Sequence, residues 1–134
     1  MFKKIHVFRV KPGQELLSEI TKYCRQTGIT SGIIVGVIGS ASEAKLNYLQ
    51  ELPGKYETHT YKGPLEIVAA QGSIALKDKE IIVHIHIQIS HESGCFGGHL
   101  AEVKIFSTAE VVIGELTAQL SRYADNYTGL NELQ

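Results

Sequence analysis

Between residues 81 and 90 the chain alternates without a break. Ile81, Val83, Ile85, Ile87 and Ile89 hold one set of positions; Ile82, His84, His86, Gln88 and Ser90 hold the other. A period of two is that of a β-strand, whose successive side chains leave opposite faces. Branched residues suit such a strand because they pack well on a pleated surface. The stretch therefore commits the chain to a sheet with an apolar core face, and it sets two histidines side by side on the opposite face.

Histidines two residues apart on a strand sit roughly 6.5–7 Å apart along the chain, close enough for their rings to lean toward one ion. A Zn–N bond is about 2.0–2.1 Å, so a shared ion needs a third ligand from elsewhere. His99 is the candidate, with Gly94, Gly97 and Gly98 expected to form the turn that returns it. Three neutral imidazoles with one position open is a catalytic rather than a structural arrangement. The plainer alternative is a polar strand face turned to water or to a subunit contact. Cys95 is either a soft ligand nearby or a small buried hydrophobe.

At 134 residues the chain has the length of one domain, taken as residues 1–134 with a core over about 5–115 and a C-terminal tail over 116–134. A net charge of −1 with His neutral speaks against a broad nucleic-acid footprint, which shows as a basic excess. The two cysteines, Cys24 and Cys95, have no framework spacing, which points to a reducing, cytoplasmic setting. No apolar run reaches the ~18 residues of a transmembrane helix. The start, Met1-Phe2-Lys3-Lys4, leads into a strand pattern rather than a signal peptide, so no membrane partner is expected.

Residues 5–10 alternate as a first strand with Ile5, Val7 and Arg9 on one face, ended by Lys11-Pro12-Gly13. From Gln14 a helical period begins, with Leu16, Leu17, Ile20, Tyr23 and Cys24 as its stripe. Glu15 suits the first turn and Gly28 the C-terminal stop. Residues 30–38 are apolar on both faces, which predicts a strand buried on both sides or against a partner subunit. Gly39-Ser40-Ala41 then marks a turn or bulge before a strand holding Ala44, Leu46 and Tyr48, and a hairpin fits. Further turns are expected at residues 52–55 and 62–64. Residues 65–76 read as a strand pair or one long bent strand with Gly72 at its kink, and 77–80 as a hairpin tip. A later strand over 106–114 turns Ala109, Val111 and Ile113 to one face. Residues 116–123 suggest a short helix, and the tail from Asp125 a frayed end. The sum is α+β: one main helix and a mainly antiparallel sheet curled toward a barrel. Apolar residues on both faces of single strands also predict oligomerisation.

Several of these features, in this order, resemble the plant-and-prokaryote conserved domain (PPC, also DUF296). They are Arg9 before Pro12-Gly13, Ile38-Gly39-Ser40, Gly63-Pro64-Leu65-Glu66-Ile67 leading to Gly72, His84-Ile85-His86, Gly97-Gly98-His99-Leu100 and Thr108-Ala109-Glu110-Val111. The resemblance covers roughly residues 5–115. It implies an α+β domain assembled as a homotrimer, and stand-alone prokaryotic members carry a provisional DNA-binding label. That label leans on plant relatives with AT-hooks, whose Arg-Gly-Arg-Pro core enters the minor groove; no such core occurs here. The spacing of His-x-His and Gly-Gly-His is also similar, more distantly, to acetolactate decarboxylase, a zinc enzyme. That similarity implies His84, His86 and His99 as metal ligands, without carrying over the reaction.

Three readings follow. In the first, a homotrimer binds a divalent metal, zinc by preference, through His84, His86 and His99, and the open position takes water or a small-molecule ligand. Glu66 and Glu110 are then candidate acid/base or supporting groups and Arg9 a candidate carboxylate binder; for each the favoured reading is a salt bridge at the surface or between subunits. In the second, the trimer is a DNA-associated regulatory module using Lys3, Lys4, Arg9 and Lys11. In the third, the histidine face is a plain subunit contact. His59 and His91 are expected to be solvated.

Overall fold

A computed structural model describes residues Met1–Gln134. The elements are β1 (Phe2–Val10), α1 (Leu16–Thr27), β2 (Gly32–Glu51), β3 (Lys55–Lys77), β4 (Glu80–His91), β5 (Gly94–Leu116), β6 (Arg122–Ala124) and β7 (Asn131–Leu133). The first five strands form one antiparallel sheet in the order β1-β5-β2-β3-β4. Because β4 also pairs with β5, the strands β5, β2, β3 and β4 close a ring, with β1 outside on β5. The sheet is ring-like rather than a regular barrel.

Strands of 20 to 23 residues run far beyond the usual 5–6, and bulges let them bend around the ring. Register slips between Gly39 and Ala41 on β2, and between Ile67 and Ala69 on β3. Gly39 has a φ of 155°, and a Cβ there would lie 2.0 Å from the Thr108 carbonyl oxygen. The small residues at 39–41 therefore serve close strand approach, not chain reversal, and the expected hairpin over residues 30–48 is instead one bent strand. The same holds at 62–64, where β3 runs straight through the Gly63–Pro64 bond.

The ring's inner face is a single core that includes Leu46, Leu65, Ile74, Ile85, Ile89, Ile105 and Ile113, all nearly free of solvent. Helix α1 buries Leu16, Ile20 and Cys24 against it. Glu15 is the N-cap rather than a first-turn residue. Its carboxylate accepts from the amides of Leu17 (3.0 Å) and Ser18 (2.7 Å), and also from Val103 on β5 (3.0 Å). The helix ends at Gly28 in the left-handed conformation. On β1 the inward face is His6, Phe8 and Val10; Ile5 and Val7 point outward and are exposed.

Two expectations for the C-terminus fail for one reason: its polar side chains are used. Ser31 Oγ donates to the Ala118 carbonyl (2.6 Å) and accepts from the Leu120 amide (3.0 Å), so residues 118–120 bond to the residue that leads into β2 instead of forming a helix. The Asp125 carboxylate then accepts from the Tyr127 (2.9 Å) and Thr128 (2.8 Å) amides and builds a turn. The tail expected to fray from Asp125 thus forms the turn and second strand of the β6–β7 hairpin, tied to the β2–β3 turn by the Gly54 amide on the Thr128 carbonyl (2.8 Å).

Candidate metal centre

Strands β4 and β5 are joined by a tight turn at Glu92-Ser93, so Gly97 and Gly98 lie within β5 rather than forming a turn. The pairing sets His86 directly opposite His99. His84 lies two residues along the same face. The rings of His84 and His86 have centroids 5.1 Å apart, those of His84 and His99 4.9 Å, and those of His86 and His99 5.5 Å. One nitrogen from each lies within 4.8 Å of the others. Tetrahedral ligation at the Zn–N bond length places nitrogens about 3.4 Å apart, so a bound ion would draw the three rings closer. Behind the site, Ile85, Ile87 and Ile89 anchor β4 in the core. The ligand backbones are thereby held on a rigid sheet.

Two of the histidines are held toward their neutral form. The His84 pKa is pushed down to about 4, first by burial and then by the facing His99, Arg122 and His86. His99 is lowered as well, by burial and by His86. Neutral imidazole is the form that ligates a metal. His86 is exposed.

Beside His84 and His99 opens a cavity of about 220 Å³. Its other walls are Tyr56, Ile82, Val83 and the hairpin residues Arg122, Leu130, Asn131 and Glu132. Sequence reasoning missed the hairpin residues because it read Arg122 into a short helix and the residues from Asp125 on as a frayed end. The usable signal was Asp125-Asn126-Tyr127-Thr128-Gly129, an Asx-turn pattern between two short extended stretches.

The other candidates lie elsewhere. The Arg9 guanidinium bonds to Thr108 Oγ1 (2.9 Å) and the Ser107 carbonyl (3.2 Å). Glu66 and Glu110 line a separate hollow with Ser40, Ser107 and Thr108. None of the three borders the histidine cavity. Cys95 is exposed and outside the histidine cluster, and it is Cys24 that is buried. His59 pairs with Glu57 (2.9 Å), and His91 accepts from Ser93, both at the surface. A larger open groove of about 760 Å³ along residues 62–66 and 90–93 contains none of the three clustered histidines.

Comparison with known proteins places the fold. A segment of the bifunctional protein GlmU of Synechococcus sp. (strain JA-3-3Ab) is 32% identical over 133 residues, covering 97% of this chain and 20% of that protein. The chain thus spans about a fifth of the length of the curated relatives it matches. A metal-containing protein of Archaeoglobus fulgidus superposes with a TM-score of 0.92 at 27% identity, over 100% of this chain and 95% of that one. A plant- and prokaryote-conserved protein of Pyrococcus horikoshii gives 0.87 at 32% identity, over 98% and 93%. A Staphylococcus aureus protein similar to alpha-acetolactate decarboxylase shares the fold alone, with a TM-score of 0.54 at 9% identity over 84% and 52%. The profile of the Plants and Prokaryotes Conserved (PCC) domain matches residues 1–117, and the chain belongs to that family.

Proposed function

We propose that the protein is a homotrimeric metal-binding member of its family, in which His84, His86 and His99 hold one divalent ion, zinc by the character of the donors. The observation that carries the reading is the convergence of three imidazole nitrogens within 4.8 Å, two of them, on His84 and His99, from the wall of a cavity. The metal-containing Archaeoglobus relative supports it. When bound, such an ion supplies Lewis acidity toward a ligand oxygen. The chain's own contribution is to bind and to exclude water: Tyr56, Ile82, Val83 and Leu130 give the cavity apolar walls, and Glu132 is its one carboxylate, available to hold or pass a proton. Arg9, Glu66 and Glu110 do not border the cavity within their own chain.

Self-assembly is supported by the outer face of β1, β5 and β2. Ile5 and Ile33 flank Gly114 there, and Val7 neighbours Val112. Ile5 (49%), Val7 (68%), Val35 (49%) and Ile38 (56%) stand exposed, a patch of the kind that marks an interface. The DNA reading lacks comparable support: Lys3 of the N-terminal basic group is paired with Glu115 (2.7 Å).

The test is metal content and light scattering on the wild type and a His84→Ala/His86→Ala double variant. Loss of the metal with the assembly intact supports the site. Loss of the assembly assigns the histidines to a subunit contact instead.

A further inference from the structure

Arg122 has a role that its hydrogen bonds leave incomplete. Its Nη1 donates to the Asn131 carbonyl (2.8 Å), and its Nη2 donates to Ser73 Oγ (2.7 Å) and lies 3.4 Å from His84 Nδ1. Its Nε is buried with no partner at all. Buried donors are rarely left so. No carboxylate lies within ion-pair reach of this guanidinium, unlike that of Arg25, which pairs with Glu80. Glu132, across the same cavity, makes no ion pair with it.

Metal ligation by His84 would open this arrangement further. An imidazole that ligates through Nε2 carries its proton on Nδ1; one that ligates through Nδ1 has spent that lone pair. Either way His84 no longer accepts from Arg122. The guanidinium is then left at the cavity wall with Nε unpaired and no charged partner, a cation whose donors suit a carboxylate. The cavity adds two restrictions. Its volume of about 220 Å³ falls below the ~300–1,000 Å³ of pockets for drug-sized ligands, which limits the occupant to a small acid. Tyr56, Ile82, Val83 and Leu130 favour an acid with an apolar end.

We propose that Arg122 is the carboxylate-binding residue of the site and that the ligand is a small organic acid with an apolar body. The inference rests on the three-histidine metal reading. It also assigns the β6–β7 hairpin a function: residues 122–132, outside the segment matched by the family profile, form the ligand-facing wall.

Benzoate and its neutral analogue benzamide, titrated calorimetrically into the zinc-loaded full chain, test the proposal. The wild type is expected to bind benzoate at least about tenfold more tightly than benzamide, the scale of a charge-assisted bond. R122Q is expected to keep its zinc and lose that margin. R122K serves the same purpose if R122Q does not fold, since it keeps the charge and removes the paired donors. Zinc retained with unchanged benzoate affinity in a folded variant would overturn the role of Arg122 alone. A wild type that takes up no zinc would overturn the metal reading and this inference together.

Discussion

Gly72 is the position where the fold and the site are most tightly joined. It lies on β3 opposite Ile85, and its neighbour Ser73 lies opposite His84. A Cβ at Gly72 would stand 2.0 Å from the His84 carbonyl oxygen and 3.0 Å from Ile85 Cα. Carbon and oxygen normally approach to about 3.3–3.6 Å, so Gly72→Ala must push β3 and β4 apart by roughly 1 Å. Both partners are backbone, and no side-chain rotation relieves the clash. Overpacking of this kind costs about 1–3 kcal/mol. Ligand distances tolerate only about ±0.2 Å, so a displaced His84 is expected to weaken metal binding by about 10–100-fold. Gly97 on β5 provides the control, since a Cβ there meets the Ile87 carbonyl oxygen at 3.3 Å. A shift of tenths of an ångström accommodates it. The ~0.4–1 kcal/mol gained by restricting the unfolded chain offsets much of the cost. Urea unfolding of the metal-free proteins and competition with a chelator would measure both quantities. Equal effects at the two glycines, or a Gly72→Ala variant with wild-type stability and affinity, would refute the argument.

Other predictions concern separate parts of the molecule. In the metal-free protein, His84 titrates near pH 4 rather than at the ordinary 6.5, because burial and then His99, Arg122 and His86 disfavour its charge. The unfolded chain takes up that proton first, so this contribution leaves stability intact above 6.5 and lowers it as pH falls toward 4; NMR titration of the His84 ring checks the value, and a midpoint near 6.5 would contradict it. Asp125→Ala removes the acceptor for Tyr127 and Thr128, and amide exchange at Thr128 and Leu130 is expected to accelerate while β4 stays protected. The Asp125 pKa is lowered, chiefly by the Thr128 amide. The turn's stability is accordingly present at neutral pH and lost as acid protonates the carboxylate. Val7→Lys and Ile38→Lys place charge on the exposed apolar face, and light scattering is expected to report dissociation to folded monomers; an unchanged mass would show that the assembly uses another surface.

The sequence carries the local part of this account well. Alternation over 81–90 and 109–113 marks the buried residues of β4 and the end of β5, and the His84, His86 and His99 cluster follows from that alternation plus one pairing. The charged tip at 77–80 is a turn, with Asp78 and Lys79 at positive φ. Less legible is what depends on distant partners. The small residues at 39–41 carry the same signature whether a chain reverses or a neighbouring strand approaches. On β1, Ile5 and Val7 look like core residues, yet the inward side is taken by His6, which reaches Tyr23 (3.2 Å) and Glu115 (3.1 Å). The hairpin over the site is too short for a periodic signal, and its order comes from the Asp125 turn and the contact with Gly54. Arg122 and Glu132 were therefore invisible as cavity residues, while Arg9, Glu66 and Glu110 drew notice through motif position alone.

The central claim is that three histidines on β4 and β5 hold one ion. Elemental analysis of untagged protein, wild type beside His99→Ala, tests it most directly. About one divalent ion per chain is expected, zinc foremost, absent from the variant while its assembly persists. A wild type without metal, even after zinc is added back, would contradict it.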